Sequence, residues 1–115
     1  IVVGSKLDRH KISIPSSERF ESLCGNLSLR ESASLVSQAD FVITNSSLCM
    51  HLAGAFSIPS LTLLGTCFDS AKLHHIQWGY PEAIVLGKEI TEGRSEVTSV
   101  EEAYKTVCKS LKYNS

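Results

Sequence analysis

The stretch ADFVITNSSLCMHLAGAFSIPSLTLLG, residues 39–65, decides the fold. Phe41-Val42-Ile43 is a short apolar run rich in β-branched and aromatic residues, as a strand buried on both faces requires, and Leu61-Thr62-Leu63-Leu64 has the same character. Between them Leu48, Leu52, Ala55 and Phe56 recur at helical spacing, with small Ala53 and Gly54 allowing close approach to a sheet. Strand, polar turn, helix, Pro59 and strand make a parallel crossover unit, right-handed by the usual rule. Ligands of such sheets sit outside the carboxyl ends of the strands, where free helix N–H groups favour phosphate. The turn Thr44-Asn45-Ser46-Ser47 is therefore the candidate phosphate site.

Working outward, Ser28 and Glu31 form a capping box for a helix that carries Leu29, Ala33 and Val36 and runs to about Gln38. Upstream, Ile1 to Val3 read as a strand ended by Gly4, and Ser5 to Arg9 begin a loop or helix that Pro15 interrupts. Phe20 to Cys24 is only weakly strand-like, and Gly25-Asn26 is turn chemistry. Downstream of Gly65 the chain reads as irregular through Asp69. Ala83 to Leu86 give a last strand, and Thr98 with Glu101 caps a final helix bearing Val100, Tyr104, Val107, Cys108 and Leu111. Alternating strands and helices predict an α/β fold with a doubly wound parallel sheet.

A chain of 115 residues is one domain's worth, and 43% hydrophobic with 20% charged residues predicts a soluble globular unit spanning residues 1–115. A formal net charge of −1 supplies no field to recruit nucleic acid, so no nucleic-acid partner is expected. No run approaches the roughly 20 apolar residues of a membrane span. Cys24, Cys49, Cys67 and Cys108 contain no C-x-x-C pair and are expected as reduced thiols, Cys49 serving packing. His74 and His75 are adjacent and cannot both face one metal from a regular helix or strand, so no metal is expected. The opening Ile1-Val2-Val3-Gly4 reads as the end of a strand, so the chain is expected to continue from an upstream portion.

Leu27-Ser28-Leu29-Arg30-Glu31-Ser32-Ala33-Ser34-Leu35-Val36, Ala39-Asp40-Phe41-Val42-Ile43-Thr44-Asn45, Met50-His51-Leu52-Ala53-Gly54-Ala55, Ile58-Pro59 and Leu64-Gly65 together resemble the donor-binding half of glycosyltransferase family 9, the heptosyltransferases. That resemblance implies the C-terminal, Rossmann-like half of a two-domain GT-B glycosyltransferase that moves a sugar from a nucleotide diphosphate. Where the family usually carries Asp-Ser-Gly-Pro, this chain has Ser46-Ser47-Leu48-Cys49, losing the acidic and glycine positions.

Each singled-out residue carries two readings. Asn45, Ser46 and Ser47 are common helix caps in any strand-to-helix turn, while the resemblance makes Thr44 to Cys49 contacts of the donor's phosphates and sugar. His51 is a hydrogen-bonded structural histidine or, by the resemblance, a cation or N–H donor beside the diphosphate. Asp8 is a solvated loop acid or the ribose contact, and Leu27 is core or a wall of the adenine pocket. Thr66, after the second strand, occupies a loop that the resemblance places near the donor.

The resemblance further implies ADP-heptose as donor, with no cofactor and no metal, and a lipopolysaccharide-type glycolipid acceptor. It places the catalytic Asp and the acceptor site in an N-terminal domain of the same protein, leaving no catalytic residue in this chain. A cytoplasmic location, peripheral at the inner membrane through the full-length protein, goes with that role. Two other readings stand beside it. One is a non-catalytic nucleotide-binding or pairing module marked by the Ser46 and Leu48 departures. The other is a nucleotide-sugar epimerase, which would need acidic and histidine groups not found placed here.

Overall fold

The computed structural model describes residues 1–111 and divides the chain into two compact units, Ile1–Leu35 and Val36–Ser115. In the first unit the expected N-terminal strand is reduced to one parallel bridge, Val2 with Ser22, made by Val2 N–H to the Glu21 carbonyl and Leu23 N–H to the Val2 carbonyl, both 2.8 Å. A single 3-10 turn, Asp8–Lys11, stands where a loop or helix was expected. Gly25 has φ +75°, and a Cβ there would meet the Lys6 backbone at 2.9 Å, so this turn accepts only glycine. Its N–H donates to the Gly4 carbonyl at 2.8 Å, while Arg9 Nε donates to the Cys24 carbonyl at 3.1 Å.

The Ser28–Glu31 capping box forms in both directions. Ser28 N–H donates to the Glu31 carboxylate at 2.9 Å, and Glu31 N–H donates to Ser28 Oγ at 3.1 Å. These bonds open helix α1, Leu29–Ser37.

In the second unit strands β1 (Val42–Thr44), β2 (Ser60–Leu63) and β3 (Ala83–Leu86) form a parallel sheet in the order β1-β2-β3. Thr44 pairs with Thr62, and Leu63 with Leu86, which sets the three carboxyl ends along one edge. Helix α2 (Leu48–Ala55) joins the first two strands and packs on both. It ends in a Schellman motif: Ser57 N–H donates to the Gly54 carbonyl and Ile58 N–H to the Ala53 carbonyl, with Ser57 at φ 56° and Pro59 following.

Residues 66–69 are irregular as expected, and helix α3 (Ala71–Trp78), for which no pattern was read in the sequence, joins β2 and β3. Its apolar residues do not gather on one side, since Leu73, Ile76 and Trp78 all lie exposed while Ala71 and His74 are buried. The helix is held instead at its ends. Ser70 Oγ accepts from Leu73 N–H at 3.1 Å, the Glu89 carboxylate accepts from Ser70 Oγ and from Lys72 N–H, and Gly79 N–H closes on the His75 carbonyl.

Helix α4 (Val100–Leu111) begins one residue later than expected. Ser99, not Thr98, caps it, accepting from Glu102 N–H at 3.1 Å. Thr98-x-x-Glu101 and Ser99-x-x-Glu102 are equivalent capping patterns one residue apart, and the ion pair of Glu102 with Arg94 favours the second register.

The core lies under the sheet's centre: Met50, Ala53, Leu61 and Leu64 are at most 3% exposed. Ser60 and Thr62 on the middle strand are buried with them, and the Thr62 hydroxyl has no partner among the described residues. Thr62→Val should therefore stabilise the fold by about 1 kcal/mol, because a buried hydroxyl left unpaired costs about 1–3 kcal/mol. A urea-unfolding midpoint unchanged or lowered by the substitution would contradict this. Among the described residues no helix is long and apolar enough to cross a membrane.

Candidate functional site

The polar turn sits where the sheet's register demands, at the carboxyl end of β1 and the N-terminus of α2. Ser47 is the N-cap residue, yet its side chain makes no capping bond. Its hydroxyl pairs with Thr44 Oγ1 at 3.2 Å, and Thr44 Oγ1 also donates to the Asn45 carbonyl at 3.0 Å. The first N–H groups of α2 are thus left uncapped by that side chain, with the positive end of the helix dipole behind them. Asn45, Ser46 and Leu48 are exposed around them, and residues 44–51 contain no acidic side chain.

Two aromatic residues from the α3 region close on this turn, and neither was singled out for a role from sequence. His74, 3% exposed, presents Nε2 to Ser46 Oγ at 2.9 Å and packs edge-on against Phe68, with ring centroids 5.0 Å apart. Burial, then the neighbouring His75 and His51, push its pKa below the ordinary 6.5, which disfavours the charged ring. Tyr80, just past α3, bonds through its hydroxyl to His51 Nδ1 at 2.7 Å. Its ring lies over Gly54, where a Cβ would come within 2.3 Å of the ring carbons. The signal in the sequence was Gly54, three residues after His51 on the same helix, together with the Gly79-Tyr80-Pro81 stop.

The remaining site candidates fall as follows. Cys49 is half-buried, and burial pushes its thiol's pKa up, which suits packing rather than nucleophilic chemistry. Thr66 is exposed beyond the carboxyl end of β2, on the same sheet edge as the turn, and its carbonyl accepts from Lys88 Nζ at 3.0 Å. Asp8 and Leu27 belong to the first unit. Asp8 is engaged locally: it accepts from Ser5 N–H at 2.8 Å and Ser5 Oγ at 3.0 Å, and these bonds with Lys11 lower its pKa. Leu27 is half-buried. Two clefts open elsewhere in the second unit, one of about 630 Å³ along β3 and one of about 480 Å³ beside Gly93 and Arg94. Neither is lined by a residue of the turn; the larger runs the length of β3 to Gly87 and reaches Ala71 and Lys72 at the start of α3.

A parallel sheet alternating with helices, carrying an uncapped helix N-terminus and a histidine at its carboxyl edge, is consistent with the Rossmann-like half of a GT-B glycosyltransferase. The family described as glycosyltransferase family 9 (heptosyltransferase) matches residues 6–81, more than half of the chain, and the chain belongs to that family. No curated protein and no solved structure matches it significantly.

Proposed function

We propose that this chain is the donor-binding half of a glycosyltransferase that moves a sugar, heptose by family, from a nucleoside diphosphate to a lipopolysaccharide-type acceptor. The observation that carries the reading is the uncapped N-terminus of α2 at the carboxyl edge of the sheet, with His51 on that helix. The turn of Thr44, Asn45, Ser46 and Ser47, with Leu48 and Cys49 behind it, receives the diphosphate. Thr66 reaches the same edge from β2.

In such a transfer the bond between the sugar's anomeric carbon and the diphosphate oxygen breaks, and charge grows on the departing phosphate. Helix N–H groups and an imidazole N–H stabilise that charge without adding a carboxylate's repulsion. The base that takes the acceptor's proton comes from the other half of a two-domain enzyme, so this chain alone binds donor and turns nothing over. The proposed transfer uses no metal or cofactor.

The chain departs from the family at Ser46 and Leu48, and that departure favours a second reading, a nucleotide-binding module that has lost donor chemistry. Titration with ADP, UDP, GDP and an ADP-sugar, followed through the amide signals of Asn45 to His51, tests both. Saturable shifts confined to the turn, with further shifts for the ADP-sugar over ADP, support the donor site. Shifts from the nucleotide alone favour the module, and none at millimolar ligand rejects both.

A further inference from the structure

Tyr80 is not used by the reading above, yet it makes the closest side-chain contact to His51 described in the structure. Its hydroxyl lies 2.7 Å from His51 Nδ1, and the two rings meet edge to face with centroids 5.8 Å apart. The ring is held in place from the other side by the bare backbone of Gly54. Any larger residue at 54 would drive the ring away, since a Cβ there would lie 2.3–2.4 Å from Cγ, Cδ1 and Cδ2. Gly54 is the last residue but one of helix α2 and does not have the positive φ that would call for glycine at a helix end, so its presence there fits a packing need.

The chemistry of the contact fixes a proton. A phenol O–H is a stronger acid than a neutral imidazole N–H, so the stable pairing has the Tyr80 hydroxyl donating to the Nδ1 lone pair. The proton of the neutral imidazole then resides on Nε2, the nitrogen left over for a ligand. We infer that Tyr80, seated on Gly54, is a positioning residue that locks His51 as an Nε2–H donor toward an anionic group at the N-terminus of α2. The inference rests on the donor-binding reading for the identity of that anion, a nucleoside diphosphate, and on geometry alone for the lock.

Tyr80→Phe removes the hydroxyl and keeps the ring. With the wild-type ring 15N signals of His51 recorded at about pH 9, where imidazoles are neutral, Nδ1 should appear as an unprotonated acceptor and Nε2 as protonated. In Tyr80→Phe the two nitrogens should move toward averaged positions, as both tautomers become populated, while the melting temperature changes little. Gly54→Ala should produce the same averaging by displacing the ring. ADP affinity should fall about three- to tenfold in Tyr80→Phe, the range expected for one hydrogen bond, and show no further fall when the substitution is made in a His51→Ala background. Unchanged His51 ring signals in Tyr80→Phe overturn the inference, as does an equal loss of ADP affinity with and without His51. If wild-type protein binds no ADP, the donor reading fails, and the ring signals still decide whether Tyr80 sets the tautomer.

Discussion

Replacing Met50 with alanine should cost the fold about 2–5 kcal/mol, the range found when a fully buried large apolar side chain is truncated. Met50 is 1% exposed and occupies the first turn of α2, between Cys49 and His51. It anchors the end of the helix that carries the candidate site, and its N–H donates to the Ser47 carbonyl at 3.1 Å. The loss should therefore be read twice: in urea unfolding, and as broadened amide signals from Asn45 to His51. A loss below about 1 kcal/mol would mean that the cavity collapses and that the turn is not set by this anchor. Against a total stability of about 5–15 kcal/mol for a domain, the expected loss is large enough to unfold a sizeable fraction of the protein on mild heating.

Acidification should weaken the fold in two separate steps. His74 comes first. Its pKa is pushed below the ordinary 6.5 by burial, with His75 and His51 adding repulsion, so unfolding takes up a proton that the native state resists. The stability it contributes is complete above pH 6.5 and falls as pH drops from there toward its folded value. Glu89 comes second. Lys72 N–H at 2.6 Å, Ser70 Oγ and Thr91 Oγ1 all donate to its carboxylate and hold its pKa below the ordinary 4.5. That contribution is complete above pH 4.5 and is lost as pH falls through the folded value.

Melting temperature followed from pH 8 to about pH 3 should show both steps. His74→Gln, whose amide nitrogen can still reach Ser46, should remove the first and leave the second. Glu89→Gln should lower the melting temperature at neutral pH by several degrees and flatten the acid limb in part, since Asp8 and Glu31 also carry lowered values. A Glu89→Gln curve parallel to wild type throughout would show that the carboxylate does not hold α3 in place.

The apolar runs at Phe41 to Ile43 and Leu61 to Leu64, and the helical spacing between them, determined the crossover unit. Strand β2 is buried as its composition requires, whereas β1, at the edge of the three-stranded sheet, leaves Ile43 57% exposed instead of covered on both faces; nothing distant is needed to make Ser28 and Glu31 cap α1. The turn at Thr44 to Ser47 was legible for the same reason, because a parallel strand followed by a helix puts a polar connection at the carboxyl edge wherever the rest of the chain goes. The N-terminal strand is shorter than its composition predicts. Ile1 to Val3 have the composition of a strand but find only a single bridge, to Ser22, because a strand forms only to the length that a partner pairs with it.

What only the tertiary structure decided is what faces the turn. Helix α3 shows no apolar stripe in sequence, and it is held by Glu89, 19 residues beyond Ser70, so no local pattern announces it. Once that helix is in place it brings His74 to Ser46, 28 residues away, and Tyr80 to His51, 29 residues away. Local spacing specifies the strands, caps and turns, because those energies act within a few residues. The partners of Ser46 and His51 follow from which helix end packs beside which strand end, and that is fixed only when the sheet closes.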